Sequence, residues 1–162
     1  MTLPPLPDDA VILAARADDW RAAVREAGRA LTRSGATREG YADRMIAVLE
    51  EFGAYIVIAP GLALAHARPG PDVVRSGLAV VTLAEPVAFG HPHNDPVRVV
   101  VGLAVSNAEE HVASVAGLAN VFNDRSAIDR LADARSVADV VAVFDEGGEP
   151  SREATDGAGP AA

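Results

Sequence analysis

The chain has 162 residues, 49% hydrophobic and 23% charged, enough to bury one ordinary core without disulfides or metals. Its formal net charge is −9 and no Lys/Arg cluster stands out, which argues against a nucleic-acid binder that must neutralise phosphates. The absence of cysteine excludes a disulfide framework, a thiolate zinc site and a cysteine nucleophile.

The N-terminal stretch MTLPPLPDDA has no basic region followed by an apolar one, so no secretory signal is evident. The apolar runs without full charges, 52–67 and 99–108, are too short to span a bilayer, and Pro60-Gly61 breaks the first. A cytoplasmic protein without membrane insertion is expected.

Residues 1–9, with three prolines, are expected to be irregular. Asp18 or Asp19 can cap a helix from Trp20, whose Trp20, Val24, Ala27 and Leu31 share one face. Ser34-Gly35 ends it. Thr37 can start a second helix bearing Tyr41, Met45, Val48, Leu49 and Phe52, stopped by Gly53. The periodicity then changes. Tyr55–Ile58, Leu62–Ala65, Leu78–Leu83 and Val97–Val105 read as strands. Val99–Val101 is continuously apolar, as in a sheet covered on both faces. The intervening stretch 85–96 reads as a loop by its three prolines, Gly90 and Asn94-Asp95.

Asn107 with Glu110 makes a capping-box pattern opening the next helix, with Val112, Val115, Ala119 and Phe122 as the expected buried face. A short helix from Ser126 turns Ile128 and Leu131 inward. A last helix from Ser136 turns Val137, Val140, Val141 and Phe144 inward. The tail 147–162 has no apolar residue larger than Ala and reads as disordered. One domain over 10–146 is expected, in the α/β class, with a mixed β-sheet sandwiched between helices.

Chemistry concentrates on four histidines. His66 ends an apolar run beside Arg68 and Pro69. On spacing alone it reads first as a hydrogen-bonded histidine at a core edge. A nucleophilic imidazole attacking a phosphoryl group is the sharper reading. His111 lies in the first turn of the helix capped at Asn107, where free N–H groups and the dipole favour anions. His91-Pro92-His93 with Asp95 has metal-ligand spacing, but a polar turn explains it as well and no fourth ligand is near. No GxxxxGK[ST] loop exists, so nucleotide binding is unsupported.

The stretches YIVIAPGLALAHARP (55–69), GLAVVTLAEPVAFGHPHNDPV (77–97) and NAEEHV (107–112) together resemble the enzyme IIA domain of the sugar phosphotransferase system, mannitol/fructose type. The likeness spans roughly 10–145 and is nearest the ascorbate-type branch. It implies a mixed sheet between helices. It also implies that His66 accepts a phosphoryl group from the histidine phosphocarrier protein and passes it to a cysteine of enzyme IIB. A membrane enzyme IIC then takes up the sugar. His111 falls on the supporting histidine, and Arg68 can add charge stabilisation. Asn94 and Asp95 are expected to hold their loop near the site. No cofactor or metal is implied. Proline usually precedes the active histidine; here the residue is Ala65, which frees the loop and removes no chemistry. The mannitol branch often has an arginine late in the second helix, where this chain reads Leu49-Glu50-Glu51. A regulatory module, whose phosphohistidine state controls a partner, is the alternative function.

Overall fold

The computed structural model describes residues 3–147. Five strands form one sheet: β1 (Val11–Ala15), β2 (Val57–Ala59), β3 (Leu62–His66), β4 (Gly77–Val87) and β5 (Val97–Ala104). Their order is β1-β4-β5-β3-β2. β1 runs parallel to β4 and β3 parallel to β5, while β4–β5 and β2–β3 are antiparallel, so the sheet is mixed as expected. Helices α1 (Trp20–Arg33) and α2 (Tyr41–Phe52) cover one face. Helices α3 (Ala108–Phe122), α4 (Arg125–Ala132) and α5 (Val137–Gly147) cover the other.

Residue size sorts the two faces. On β3, Leu62 and Leu64 point toward α3–α5, while Ala63 and Ala65 point toward α1 and α2. Gly102 on β5 completes the shallow side: a Cβ there would lie 3.3 Å from Leu31 Cδ1 and 3.4 Å from Ala27 Cβ. The shallow side lets α1 sit close to the sheet. Helix α2 then packs on α1 at Gly28, where a Cβ would come within 2.5 Å of Ala42 Cβ.

Several boundaries differ from the sequence reading. β1 falls at 11–15, where the sequence reading assigns no element. It is a short edge strand whose pairing slips between Ile12 and Ala15, and Ala14 adopts φ 55° in that slip. The buried Thr82 holds it by accepting from Ala14 N–H (2.8 Å). Thr37 does not start α2. It makes an isolated bridge to Val73, and the helix begins at Tyr41 after Gly40. Residues Ala54–Ile56 form a 3-10 turn ahead of β2, and β4 runs on through Pro86 to Val87.

Helix α3 buries Ser114, Gly117, Leu118, Val121 and Phe122, not the expected stripe. Val112 is 68% exposed, Val115 36%, and Ala119 is also exposed; only Phe122 of the expected face is inside. The packed side carries Ser114 and Gly117 ahead of Leu118, Val121 and Phe122, and these two small residues interrupt its apolar spacing in the first half of the helix. The cap is also modified. Asn107 Oδ1 accepts from Glu110 N–H (2.8 Å), but the Glu110 carboxylate reaches back to Ser106 N–H (3.3 Å) and to Ser76 Oγ. The tail expected to be disordered lies, from 148 on, outside the described residues.

Candidate functional site

β3 and β5 run side by side and end together, His66 opposite Leu103. Beyond that point β5 leads into the cap of α3, and the chain after β3 turns outward. His66 and His111 therefore converge at one end of the sheet, with ring centroids 5.3 Å apart. They line a pocket with Ala67, Arg68, Val48, Phe52 and Tyr55. Tyr55 meets the His66 ring edge-on at 6.2 Å, and Phe52 packs edge-on against Tyr55 at 6.4 Å.

The tautomer of His66 follows from one contact. Its Nδ1 lies 2.9 Å from the Leu64 carbonyl. A carbonyl can only accept, so in the neutral ring Nδ1 carries the proton and Nε2 carries the lone pair. Burial lowers the pKa of His66 below the usual imidazole value. The Leu64 hydrogen bond raises it in part, and His111 nearby lowers it again. The ring is therefore neutral, with a free Nε2, at pH 7.

His111 Nδ1 is buried without a hydrogen-bond partner, as is Ser114 Oγ three residues on. The ring nitrogen left for the pocket is Nε2. Arg68 is exposed and lines the same pocket, and among the described residues no carboxylate pairs with its guanidinium. Two imidazoles and one arginine thus surround a half-open space beside the first turn of α3, where helix N–H groups favour anions.

The backbone after His66 is held from below. Ala67 N–H donates to Tyr41 Oη (3.0 Å), and that hydroxyl donates to the Leu103 carbonyl (2.7 Å). Arg44 donates to the Arg68 carbonyl (2.8 Å) and forks onto both carboxylate oxygens of Asp72 (2.9 and 2.7 Å).

The loop 88–96 is elsewhere, contrary to expectation. Asn94 takes a hydrogen bond from Gly61 N–H on its carbonyl (3.0 Å) and gives one from Nδ2 to the Val57 carbonyl (3.1 Å). Gly61 lies five residues before His66, just ahead of β3, so the loop sits roughly 16 Å along the chain from His66. The reason is topological: the loop feeds the start of β5, which lies beside the start of β3. Asp95 does hold the loop, accepting from the N–H groups of Phe89, Gly90 and His91. His91 Nδ1 accepts from His93 N–H and Asn94 N–H, so it is spent on the turn. No group of three or more His, Asp or Glu side chains among the described residues is placed to share a metal ion.

The sequence profile described as phosphoenolpyruvate-dependent sugar phosphotransferase system, EIIA 2, matches residues 5–147. The chain belongs to this family. The ascorbate-specific PTS system EIIA component of Salmonella choleraesuis is 33% identical over 139 residues, 85% of this chain and 90% of that one. Its Escherichia coli K12 counterpart is 34% identical over 134 residues, 82% of this chain and 87% of that one. Among solved structures, the complex of enzyme IIA(mannitol) with phosphorylated enzyme IIB(mannitol) from Escherichia coli superposes with a TM-score of 0.77. It is 26% identical and covers 88% of this chain and 98% of that one. This EIIA chain is thus a phosphoryl carrier of a sugar phosphotransferase system. No helix among the described residues is long and apolar enough to cross a membrane.

Sequence reasoning placed His66, His111 and Arg68, and the fold brings all three together. It missed Tyr55 and the pocket-facing roles of Val48 and Phe52, which were read as strand and core. One signal was available: with aromatics at only 4% of the chain, Phe52 and Tyr55 stand three residues apart around Gly53.

Proposed function

We propose that His66 Nε2 is the phosphoryl acceptor. The observation that carries this is the His66 Nδ1–H to Leu64 carbonyl hydrogen bond, which directs the Nε2 lone pair outward from a neutral, half-buried ring. The donor is the phosphohistidine of the phosphocarrier protein. A P–N bond forms at His66 Nε2 as the donor's P–N bond breaks; the donor ring, already protonated on its other nitrogen, leaves as neutral imidazole, and the phosphorylated His66 ring keeps its Nδ1 proton and takes over the positive charge. In the second transfer the His66 P–N bond breaks as a P–S bond forms on a cysteine thiolate of enzyme IIB. Such transfers need alignment and charge stabilisation more than covalent help from the protein. His111 Nε2–H and the Arg68 guanidinium supply donors for the phosphoryl oxygens. The exposed Phe52, Tyr55, Val112 and Val115 give partner proteins an apolar rim around the site.

The ascorbate-specific relatives support a sugar acid of that kind as the transported substrate, and a cytoplasmic location follows from that role. Those relatives also favour transport over the regulatory alternative. The test is to incubate the protein with phosphoenolpyruvate, enzyme I and the phosphocarrier protein and look for acid-labile phosphate. Wild type should label and His66→Ala should not; label retained by His66→Ala would refute the assignment.

A further inference from the structure

Helix α2 presents Tyr41, Arg44 and Val48 toward one short stretch, 66–68, and each meets a different part of it. Val48 lines the pocket beside the His66 ring. Tyr41 Oη takes the N–H of Ala67 and gives its own proton to Leu103, the residue opposite His66 in the sheet. Arg44 takes the carbonyl of Arg68 and ties it to Asp72.

These contacts are built more firmly than chain closure requires. Tyr41 is fully buried, and burial pushes its pKa up to about 12, so the hydroxyl keeps its proton and its two-sided role at any working pH. The hydroxyl bridges the two strand ends where regular pairing stops. It replaces a ladder hydrogen bond at the peptide directly following His66. Arg44 also lies 5.4 Å over the Tyr41 ring and holds the Asp72 carboxyl below its usual range. Tyr41, Arg44 and Asp72 therefore form one connected unit with two fixed points on the chain, one on each peptide next to the candidate nucleophile and the candidate cation.

We infer that Tyr41 and Arg44 are positioning residues for phosphoryl transfer, setting the His66 ring and the Arg68 side chain relative to the incoming phosphoryl group. The inference rests on His66 being the acceptor. A ring on a loosely held strand end samples many directions, and near-attack alignment is lost with displacements of about 1 Å. The Leu64 contact fixes the rotation of the His66 ring from two residues before it; the Tyr41 contact fixes the backbone from the residue after it. Together they leave Nε2 one direction. The unit also accounts for Ala65: with the following peptide clamped by Tyr41, a proline before His66 is not needed to hold the strand end.

The experiment uses the full chain with enzyme I, the phosphocarrier protein and phosphoenolpyruvate. Tyr41→Phe keeps the ring and removes only the hydroxyl. The expected result is that kcat for phosphorylation falls about 10-fold, with KM for the phosphocarrier protein within about 2-fold of wild type. Nitrogen NMR of neutral His66 should show the Nδ1–H tautomer losing population to Nε2–H. Arg44→Lys should leave a smaller fall, because one ammonium can hold Asp72 or the Arg68 carbonyl but not both in the forked geometry. Wild-type kcat and tautomer in folded Tyr41→Phe would overturn the inference. If Tyr41→Phe does not fold, Arg44→Gln carries the test, and an unchanged kcat there would overturn it. Peptide mapping of phosphorylated wild type separates the two ideas: phosphate away from His66 refutes the acceptor assignment, whereas phosphate on His66 with unaffected variants refutes only the positioning role.

Discussion

Gly28 sits where α1 and α2 come closest, and Gly28→Ala should be costly despite improving helix propensity. A Cβ built there lies 2.5 Å from Ala42 Cβ and 3.1 Å from Ala42 Cα. Carbon atoms prefer about 3.5–4.0 Å, so the helices would have to separate by roughly 1 Å. Overpacking of this kind costs about 1–3 kcal/mol, while replacing a mid-helix glycine by alanine returns about 1 kcal/mol. The backbone atom cannot move away as a side chain could, so the upper half of that range applies. The net loss expected is about 1–2 kcal/mol, read from urea unfolding at pH 7. The consequence reaches the site, because α2 carries Tyr41, Arg44, Val48 and Phe52. The companion double variant, Gly28→Ala with Ala42→Gly, moves the methyl from one helix to the other. It should recover most of the loss, since the propensity changes cancel. A Gly28→Ala protein more stable than wild type, or a double variant no better than the single one, would refute the close-approach reasoning.

Four further outcomes follow. Because the folded pKa of His66 lies below its unfolded value of about 6.5, the unfolded chain binds more protons between the two values. Stability should therefore fall as pH drops through about 6.5 and level off below the folded pKa; this slope should vanish in His66→Gln, and a wild-type-minus-variant difference that stays flat down to pH 5 would contradict it. His111→Ala should fold normally but slow phosphorylation by about 10²-fold, as for loss of one charge-stabilising donor; stopped-flow rates equal to wild type would remove it from the site. Asp95→Ala, which strips the acceptor from three backbone N–H groups, should cost about 2 kcal/mol in denaturant melts yet leave the labelling of His66 at the wild-type rate. Thr82→Val should cost about 1–2 kcal/mol in the same melts, by leaving Ala14 N–H unpartnered at a left-handed residue; no loss would show that the hydroxyl does not hold the β1 slip.

The parts of the fold that the sequence made legible are those with one dominant signal. Val99–Val101 could only be a doubly covered strand, and Asn107 capped a helix as its spacing required. The failures come from competing or local signals. β1 is five residues long and two of the five are alanine, and its slip is stabilised by a threonine 68 positions away. The face of α3 was misread because valine and alanine lie all around it, and the packed side carries serine and glycine. The loop 85–96 was placed near His66 because its residues belong to the same family signature. Pairing direction decides otherwise: β5 runs parallel to β3, which sends its leading loop to the far end. His66, His111 and Arg68 were legible as residue types, but the tautomer of His66 was not. It depends on a main-chain carbonyl two residues back, and no side-chain pattern encodes it.

The most direct test of the account is the atom that carries the phosphate. Protein labelled with nitrogen-15 histidine is phosphorylated by the phosphocarrier protein and examined by NMR for phosphorus–nitrogen coupling. The account predicts one phosphorylated ring, His66, bonded through Nε2, with Nδ1 still protonated against the Leu64 carbonyl. Phosphate on Nδ1 of His66, or on His111, His91 or His93, would contradict it.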